Sequence, residues 1–259
     1  MVQQRPGFAV MAMIPGMNST LAIVIVHGML GFGRIQALRT GRIYFSGLSD
    51  ALGEDVYFPA LPGNGRIVDR ARTLAEFLDT LPHDHIAIIA HSMGGLDARH
   101  LIQHLDLKHR VRELITLSTP HHGSAIADIA QDSGSPTYAI VRALTRPALD
   151  DLCSDACDQF NRDTPNRADV RYRSYTASRP IAQMPVWLRP FARVFGTVPN
   201  DGLVSVDSGK WGEHIETLTA THFELAGWRV LPIGAWRVPR FEHIGFYRKL
   251  VADLRTGDD

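Results

Sequence analysis

The chain has 259 residues, 27 basic and 27 acidic side chains, a formal net charge of zero and a pI of about 7.2. This length favours one α/β domain, expected to span residues 1–259, and is sufficient for a sizeable core. The balanced charge, with no run of Lys or Arg, argues against a nucleic-acid partner. No apolar stretch reaches the roughly 18 residues of a transmembrane helix.

The N-terminal residues 1–18 contain one Arg, two prolines and only short apolar runs, so they make a poor secretory signal. We therefore expect a cytoplasmic protein, or a secreted one whose leader has been removed. The two cysteines, Cys153 and Cys157, are too close in sequence to staple a fold and lack the further ligands of a zinc site. We expect thiols or a local disulfide, and neither settles the compartment.

The first predicted strand is Leu21–Val26, an apolar run typical of a parallel strand buried on both faces. It leads into a glycine-rich segment at residues 27–33 (HGMLGFG). Glycines at this point let the backbone turn and direct amides into a cleft, as the loop of an oxyanion hole does. A phosphate-binding loop is the alternative, although the spacing matches neither G-x-G-x-x-G nor a Walker motif, and no Lys follows.

Three more elements precede the centre of the chain. Residues 44–52 have an amphipathic helical pattern, residues 55–59 (DVYFP) predict a short strand, and residues 69–80 predict a second helix. Residues 86–90 (IAIIA) then form another continuous apolar run, which predicts a second buried parallel strand.

The turn after this strand reads HSMGG at residues 91–95, and a helical pattern continues to about Leu107. Strand, tight turn and helix form the context of a nucleophile elbow, in which a strained turn lifts the hydroxyl of Ser92 clear of the sheet. The usual pattern is G-x-S-x-G, and Ala90 replaces the first glycine here, adding only a methyl group. The alternative is an ordinary strand-to-helix junction that contains a serine, because a five-residue match alone is a weak signal.

Further strands are predicted at residues 114–118, 170–175 and 215–219, and a closing helix at residues 240–254. Strands and helices therefore alternate at least four times, which predicts an α/β fold with a mostly parallel central sheet and helices on both faces.

The alternation lapses between residues 124 and 164, where a helical pattern is broken at Gly134, Pro136 and Pro147. We expect a helical lid or cap over the cleft, with amphipathic helices available for transient contact with a lipid interface. The equal alternative is that these helices simply pack on the body. Residues 179–199 combine prolines with aromatic side chains and are expected to form an irregular wall of the pocket.

An activated serine needs a base, and the base needs an orienting carboxylate. When the chain order is serine, acid, histidine, the acid lies in a loop after a late strand and the histidine in the loop after the last strand. Asp201, in the turn Asn-Asp-Gly, and His222 fit these positions. The rival acids are Asp207, Asp163 and Asp169.

The other histidines fit less well as the base. His214 precedes the last strand, and His243 begins a helix. His91 adjoins Ser92, but neighbouring side chains in a sharp turn point apart. His121 and His122 follow a strand end, so we expect them to line the cleft; a metal pair there has no spacing support.

Together these segments resemble the bacterial triacylglycerol lipases of the α/β-hydrolase superfamily and related lipase-like hydrolases. The resemblance extends over roughly residues 20–230 and is poor in the predicted lid. It depends on the following motifs: residues 26–32, 90–95, 118–124, 160–161 and 200–204. The resemblance implies an α/β-hydrolase fold, a triad of Ser92, Asp201 and His222, and oxyanion-hole amides from Met29 and Met93.

One departure concerns metal. Many of these lipases hold a structural calcium between an Asp two residues after the catalytic His and a second Asp upstream of the catalytic Asp. Here the first position is Glu224, and the second falls near Ile181, where there is no carboxylate. We therefore expect no such calcium, no other metal and no cofactor, with Glu224 instead binding an Arg or capping its turn.

The resemblance thus implies a serine carboxylic ester hydrolase, a lipase or esterase, that cleaves hydrophobic esters through an acyl-enzyme intermediate. An acyltransferase or thioesterase with the same triad is one alternative. A catalytically silent binding protein of the same fold is the other, and the presence of all three triad residue types argues against it.

Overall fold

The computed structural model describes residues 21–29, 44–132, 134, 136–228 and 240–257. Within them, one six-stranded sheet has every neighbouring pair of strands parallel, in the order β2-β1-β3-β4-β5-β6. The strands are β1 (Leu21–Val26), β2 (Val56–Tyr57), β3 (His85–His91), β4 (Val111–Leu117), β5 (Arg171–Ala177) and β6 (Glu213–Leu218). Each overlaps a strand predicted from the sequence, so the mostly parallel sheet is confirmed.

Helices connect these strands. They are α1 (Leu48–Ala51), α2 (Ile67–Asp79), α3 (Gly94–His104), α4 (Ala125–Asp132), α5 (Pro136–Thr145), α6 (Ser154–Asp163), α7 (Arg189–Ala192), α8 (Val206–Gly209), α9 (His222–Leu225) and α10 (His243–Thr256). Three 3₁₀ turns, at Ala148–Leu152, Ile181–Gln183 and Arg193–Phe195, complete the described elements. The helix predicted over residues 44–52 shrinks to α1, because Phe45 and Gly47 have φ angles of 50° and 79°, which a right-handed helix does not allow.

The central strands are buried on both faces. Ile23 and Ile25 of β1 face one apolar cluster, which includes Leu48 of α1 and Leu250 of α10. Ala22, Val24 and Val26 face a second cluster, which includes side chains of α2 and α3. Because alternate residues of a strand point to opposite faces, helices cover the sheet on both sides, as predicted.

The described part of residues 124–164 contains α4, α5, α6 and a 3₁₀ turn, and its side chains form a third apolar cluster with the start of α3. Leu149 and Leu152 pack there with Met93 and Leu96, and Met29 lies against the same cluster. The segment therefore lies beside the turn that contains Ser92. Across the parts of the chain that the structure describes, no helix has both the length and the apolar character needed to cross a membrane.

Candidate active site

Ser92 lies between β3 and α3 in a left-handed conformation, with φ of 56°. A non-glycine residue in this region costs on the order of 1–3 kcal/mol and persists only when its surroundings hold it there. Here the Ser92 N–H donates to the carbonyl of Leu117 at 3.0 Å, and the Ser92 carbonyl accepts from the Gly95 N–H at 3.0 Å. The strand, strained turn and helix predicted for this stretch are confirmed.

The glycines after Ser92 let α3 pass close to the neighbouring strand ends. A Cβ atom at position 94 would lie 2.8 Å from the carbonyl oxygen of His27, and one at position 95 would lie 2.2 Å from Thr119 Oγ1. Neither approach tolerates a side chain, so both glycines are required sterically.

Asp201 and His222 are brought together. Asp201 Oδ2 accepts a hydrogen bond from His222 Nδ1 at 2.7 Å, and Asp201 is fully buried. Its other oxygen, Oδ1, accepts from the backbone amides of Leu203 and Val204 at 2.9 and 2.8 Å. A carboxylate only accepts hydrogen bonds, so Nδ1 of His222 is the donor in this contact, and Nε2 is the ring nitrogen left available to act as a general base.

The backbone reinforces this pair. The His222 N–H donates to the Asp201 carbonyl at 2.9 Å, so the two loops are joined by main chain as well as by side chains. Asn200 Oδ1 accepts from the Gly202 N–H at 3.0 Å, and Gly202 has φ of 103°. A Cβ atom there would lie 2.6 Å from the side chain of Leu188. The Asn-Asp-Gly turn thus aims the Asp201 carboxylate inward.

The rival acids and bases lie elsewhere. The Asp207 side chain is 80% exposed and paired with Lys210, while Asp169 pairs with His109 at the surface. His214 lies within β6 and contacts Thr176. Asp163 is exposed, and Nε2 of His243 is bonded to the carbonyl of Ser46 at 2.8 Å.

His91 cannot serve as the base, because both of its ring nitrogens are already hydrogen-bonded. Nδ1 lies 2.7 Å from the hydroxyl of Tyr44, and Nε2 lies 3.1 Å from the backbone carbonyl of His222. The His91 and His222 rings are 4.5 Å apart between centroids, which places the catalytic candidate His222 next to the residue that precedes Ser92. Among the hydrogen bonds of the described residues, none joins the Ser92 hydroxyl to His222, and such contacts are often loose before substrate binds.

The expectation that His121 lines the cleft is wrong. His121 is fully buried, its ring is stacked on Trp211 at 5.2 Å, and its nitrogens contact Arg99 and Thr116. Burial and the Arg99 charge hold its pKa well below the usual value, so it is a neutral core histidine. Its neighbour His122 is exposed.

Of the glycine-rich loop, residues 30–33 lie outside the described residues, but residues 27–29 are described. A Cβ atom at Gly28 would lie 2.6 Å from the Ser92 Cβ, so only glycine allows the loop to lie against the serine. The Gly28 carbonyl accepts from His27 Nδ1 at 2.8 Å and from Arg70 at 3.3 Å. Since the Met29 N–H belongs to the same planar trans peptide, it points the opposite way, away from those donors.

Arg70 and Asp97 were missed by the sequence analysis. Both side chains are fully buried and form an ion pair at 2.8 Å, and Arg70 also donates to the carbonyl of His27 at 2.7 Å. Burial raises the pKa of Asp97 to about 6, while the Arg70 charge opposes that rise. The available signal was Arg70 itself, a charged residue on the apolar face of α2 between Ile67 and Leu74.

His27 is neutral as well. Its Nε2 accepts from the Leu61 N–H at 3.0 Å, which leaves Nδ1 to donate to Gly28. Burial, with a smaller contribution from Arg70, lowers the pKa of His27 to about 3. The loop beside Ser92 is therefore held by an uncharged imidazole and by one charged guanidinium.

Glu224 both binds an Arg and caps its turn, as expected. Its Oε2 accepts from the N–H and the hydroxyl of Thr221 at 2.8 and 2.9 Å, and it lies 3.2 Å from Arg179. This capping box orders the helix that begins at His222. The cysteines are free thiols, and burial raises the pKa of Cys153 to about 11 and that of Cys157 to about 12.

Comparison with known proteins gives a consistent result. A family model described as the alpha/beta hydrolase family matches residues 23–247. Triacylglycerol lipase 2 of Saccharomyces cerevisiae is 31% identical over 223 residues, which cover 75% of this chain and 67% of the yeast protein.

Two solved structures share the fold. A Bacillus licheniformis lipase in its mature form has a TM-score of 0.66 at 23% identity, over 79% of this chain and 86% of that one. A metagenomic carboxyl esterase has a TM-score of 0.75 at 19% identity, over 98% of this chain and 81% of that one. At these identities the solved structures confirm the predicted fold class and no more.

Proposed function

The chain belongs to the alpha/beta hydrolase family, and from that premise we propose that Ser92, His222 and Asp201 are the nucleophile, base and orienting acid of a carboxylic ester hydrolase. The protein is an enzyme of the lipase and esterase type. One observation supports the residue assignment above all others: a fully buried carboxylate is bonded at 2.7 Å to a histidine whose ring lies 4.5 Å from that of His91, the residue before a serine held at φ of 56°.

The reaction is acyl transfer to water in two steps. His222 Nε2 takes the Ser92 proton as the oxygen attacks the ester carbonyl, and the imidazolium then protonates the departing alcohol. Water, deprotonated by the same nitrogen, hydrolyses the acyl-enzyme. Asp201 keeps the ring in the required tautomer and stabilises its positive charge, while the backbone bond between the two residues joins their loops.

The tetrahedral oxyanion is proposed to bind the backbone amides of Met29 and Met93. Met93 directly follows Ser92 and precedes α3, whose first amides have no partners within the helix. Met29 belongs to the peptide whose carbonyl is held by His27 and Arg70. One such donor is worth about 3 kcal/mol of transition-state stabilisation.

The substrate is proposed to be a hydrophobic ester, with acylglycerols as the class that fits best, in keeping with the sequence resemblance to bacterial triacylglycerol lipases. We propose that residues 124–164 are a lid over the cleft. Ile140 and Leu144 of α5 are 62% and 66% exposed, and Trp187 in the neighbouring irregular segment is 42% exposed. The two segments meet where the rings of Tyr138 and Phe191 lie 6.5 Å apart. Exposed apolar surface on both suits transient contact with a lipid interface.

A chain-length series of nitrophenyl esters tests this proposal, with each ester assayed below and above its solubility limit. Ser92→Ala serves as the blank. We expect hydrolysis by the wild type, a preference for longer acyl chains and a rise in rate once the ester forms a separate phase. Activity retained by Ser92→Ala would contradict the assignment, and a preference for acetate esters without any interfacial rise would contradict the proposed lipid substrate.

A further inference from the structure

A buried hydrogen-bond chain runs from the glycine-rich loop to the backbone of His222. The Gly28 N–H lies 3.0 Å from the hydroxyl of Tyr44, which lies 2.7 Å from His91 Nδ1, and His91 Nε2 lies 3.1 Å from the carbonyl of His222. Tyr44 is 4% exposed and His91 is 1% exposed, so water does not compete for these groups.

With His91 neutral, only one arrangement of protons satisfies every contact in this hydrogen-bond chain. A carbonyl oxygen accepts only, so His91 Nε2 carries the proton and donates to His222. His91 Nδ1 is then an acceptor, and the Tyr44 hydroxyl donates to it. The Tyr44 oxygen in turn accepts from the Gly28 N–H. Burial and the neighbouring His222 hold the pKa of His91 well below its usual value, which preserves this neutral tautomer.

One end of this hydrogen-bond chain adjoins the proposed oxyanion hole, and the other end adjoins the proposed catalytic base. Gly28 precedes Met29, whose amide is the proposed oxyanion donor, and the His222 carbonyl belongs to the residue that bonds Asp201. We propose that Tyr44 and His91 are positioning residues that hold the Met29 amide and the His222 imidazole in one fixed geometry about Ser92. This inference rests on the proposed function.

Tyr247 offers a matched control for Tyr44. It is fully buried, its ring packs on Phe45 as the Tyr44 ring does, and among the described residues its hydroxyl has no hydrogen-bond partner. A tyrosine ring can thus be buried here without a bonded hydroxyl. A Tyr→Phe change removes a bonded hydroxyl at position 44 and an unbonded one at position 247.

The experiment compares Tyr44→Phe with Tyr247→Phe by kcat and KM on a soluble nitrophenyl ester, and by the rate of inactivation by a fluorophosphonate. For Tyr44→Phe we expect kcat and the inactivation rate to fall together by about 10- to 100-fold, with KM nearly unchanged, because displacement of a catalytic group by about 1 Å has such an effect. Tyr247→Phe should keep both rates within about two-fold of the wild type.

Two substitutions at His91 test each half of the chain and do not depend on Tyr44→Phe folding. His91→Asn keeps an acceptor near Nδ1 for Tyr44 and removes the donor to His222, while His91→Gln keeps a donor near Nε2 and removes the acceptor for Tyr44. Both should lower kcat more than they raise KM, in samples whose folded fraction is verified by circular dichroism.

The outcomes separate this inference from the proposed function. If the wild type hydrolyses esters, Ser92→Ala does not, and Tyr44→Phe behaves like Tyr247→Phe, the positioning role is wrong while the function stands. Equal losses in the two Tyr→Phe variants would also overturn it, since packing would then explain both. If Ser92→Ala retains full activity, the proposed function itself fails.

Discussion

The surroundings of Ser92 and the outer side of residues 124–164 distribute polarity in opposite ways. Around Ser92 several buried side chains are polar, among them Arg70, Asp97 and Asp201, each fully buried. On α5 the exposed side chains are apolar, with Ile140 and Leu144 more than half exposed. Burying polar groups is unfavourable unless they are bonded, and exposing apolar groups is unfavourable unless something covers them. The bonded polar groups around Ser92 therefore fix the geometry of the first region, whereas the exposed apolar side chains of α5 give the second region a surface suited to contact.

The largest expected effect is in the first region, at the acid–base pair. His222→Ala should lower kcat by on the order of 10⁶, and Asp201→Asn by about 10⁴, because the asparagine favours the wrong tautomer of His222. Asp207→Asn is the control, since that side chain is 80% exposed and paired with Lys210. Steady-state kinetics on a soluble ester measure all three, and a greater loss in Asp207→Asn than in Asp201→Asn would reverse the assignment of the acid.

The next largest effect is expected at the buried ion pair of Arg70 and Asp97, which lies under the glycine-rich loop. Asp97→Leu should lower the free energy of unfolding by about 3–5 kcal/mol, because it leaves the Arg70 charge buried without its partner. Adding Arg70→Met should recover much of that loss. Urea denaturation measures both variants.

The control for that pair lies on the same helix. Asp69 pairs with Arg72 at 3.3 Å, with both side chains about 60% exposed. Asp69→Asn should change stability little, since exposed pairs contribute little. If Asp97→Leu changed the free energy of unfolding as little as Asp69→Asn, the Arg70–Asp97 pair would not be holding α2 and α3 together.

Acid should also destabilise the folded protein, because several of its buried histidines are neutral. Burial lowers the pKa values of His27, His91 and His121 below the value of about 6.5 that a histidine has in the unfolded chain. As the pH falls below about 6.5, the unfolded state takes up protons that the folded state does not, so the free energy of unfolding decreases. Asp97 acts in the opposite sense, because its pKa is raised to about 6 and it takes up a proton in the folded state first. The balance predicts a loss of about 3 kcal/mol in unfolding free energy between about pH 7.5 and pH 5.5.

Urea denaturation across this pH range measures the loss, and His121→Gln should lower the slope by about one proton. A flat profile would mean that these histidines are charged in the folded state.

The smallest expected effect probes the second region. Leu144→Glu should leave stability and the rate on dissolved esters almost unchanged, but lower the rate on an emulsified ester several-fold, since a charge at the apolar surface opposes contact with lipid. Leu107→Glu is matched to it, because Leu107 is 86% exposed beyond the end of α3. Equal losses in the two variants would remove the case for a lipid-facing α5.

The sequence predicts features that local patterns specify, but not contacts between side chains that are distant in the sequence. Apolar runs such as Leu21–Val26 specify strands locally, and the order serine, acid, histidine leads to Asp201 and His222 as candidates, whose side chains the structure places 2.7 Å apart. Arg70 and Asp97 are 27 residues apart in sequence and meet only because α2 packs on α3. No local pattern reports such a pairing.

His121 was misplaced for a related reason. A histidine just after a strand end is expected at the cleft, but here Arg99 from α3 and Trp211 from before β6 enclose it. The helix predicted over residues 44–52 failed for a local reason, since the left-handed residues Phe45 and Gly47 delay its start to Leu48. Amphipathic spacing does not reveal either backbone reversal.

The most direct test is to locate a fluorophosphonate adduct by intact mass and peptide mapping in the wild type and in His222→Ala. We expect one adduct per chain on Ser92 in the wild type, and labelling slower by several orders of magnitude in His222→Ala, because the serine then lacks its base. An adduct on another residue, or a labelling rate that does not depend on His222, would contradict the proposal that His222 activates Ser92.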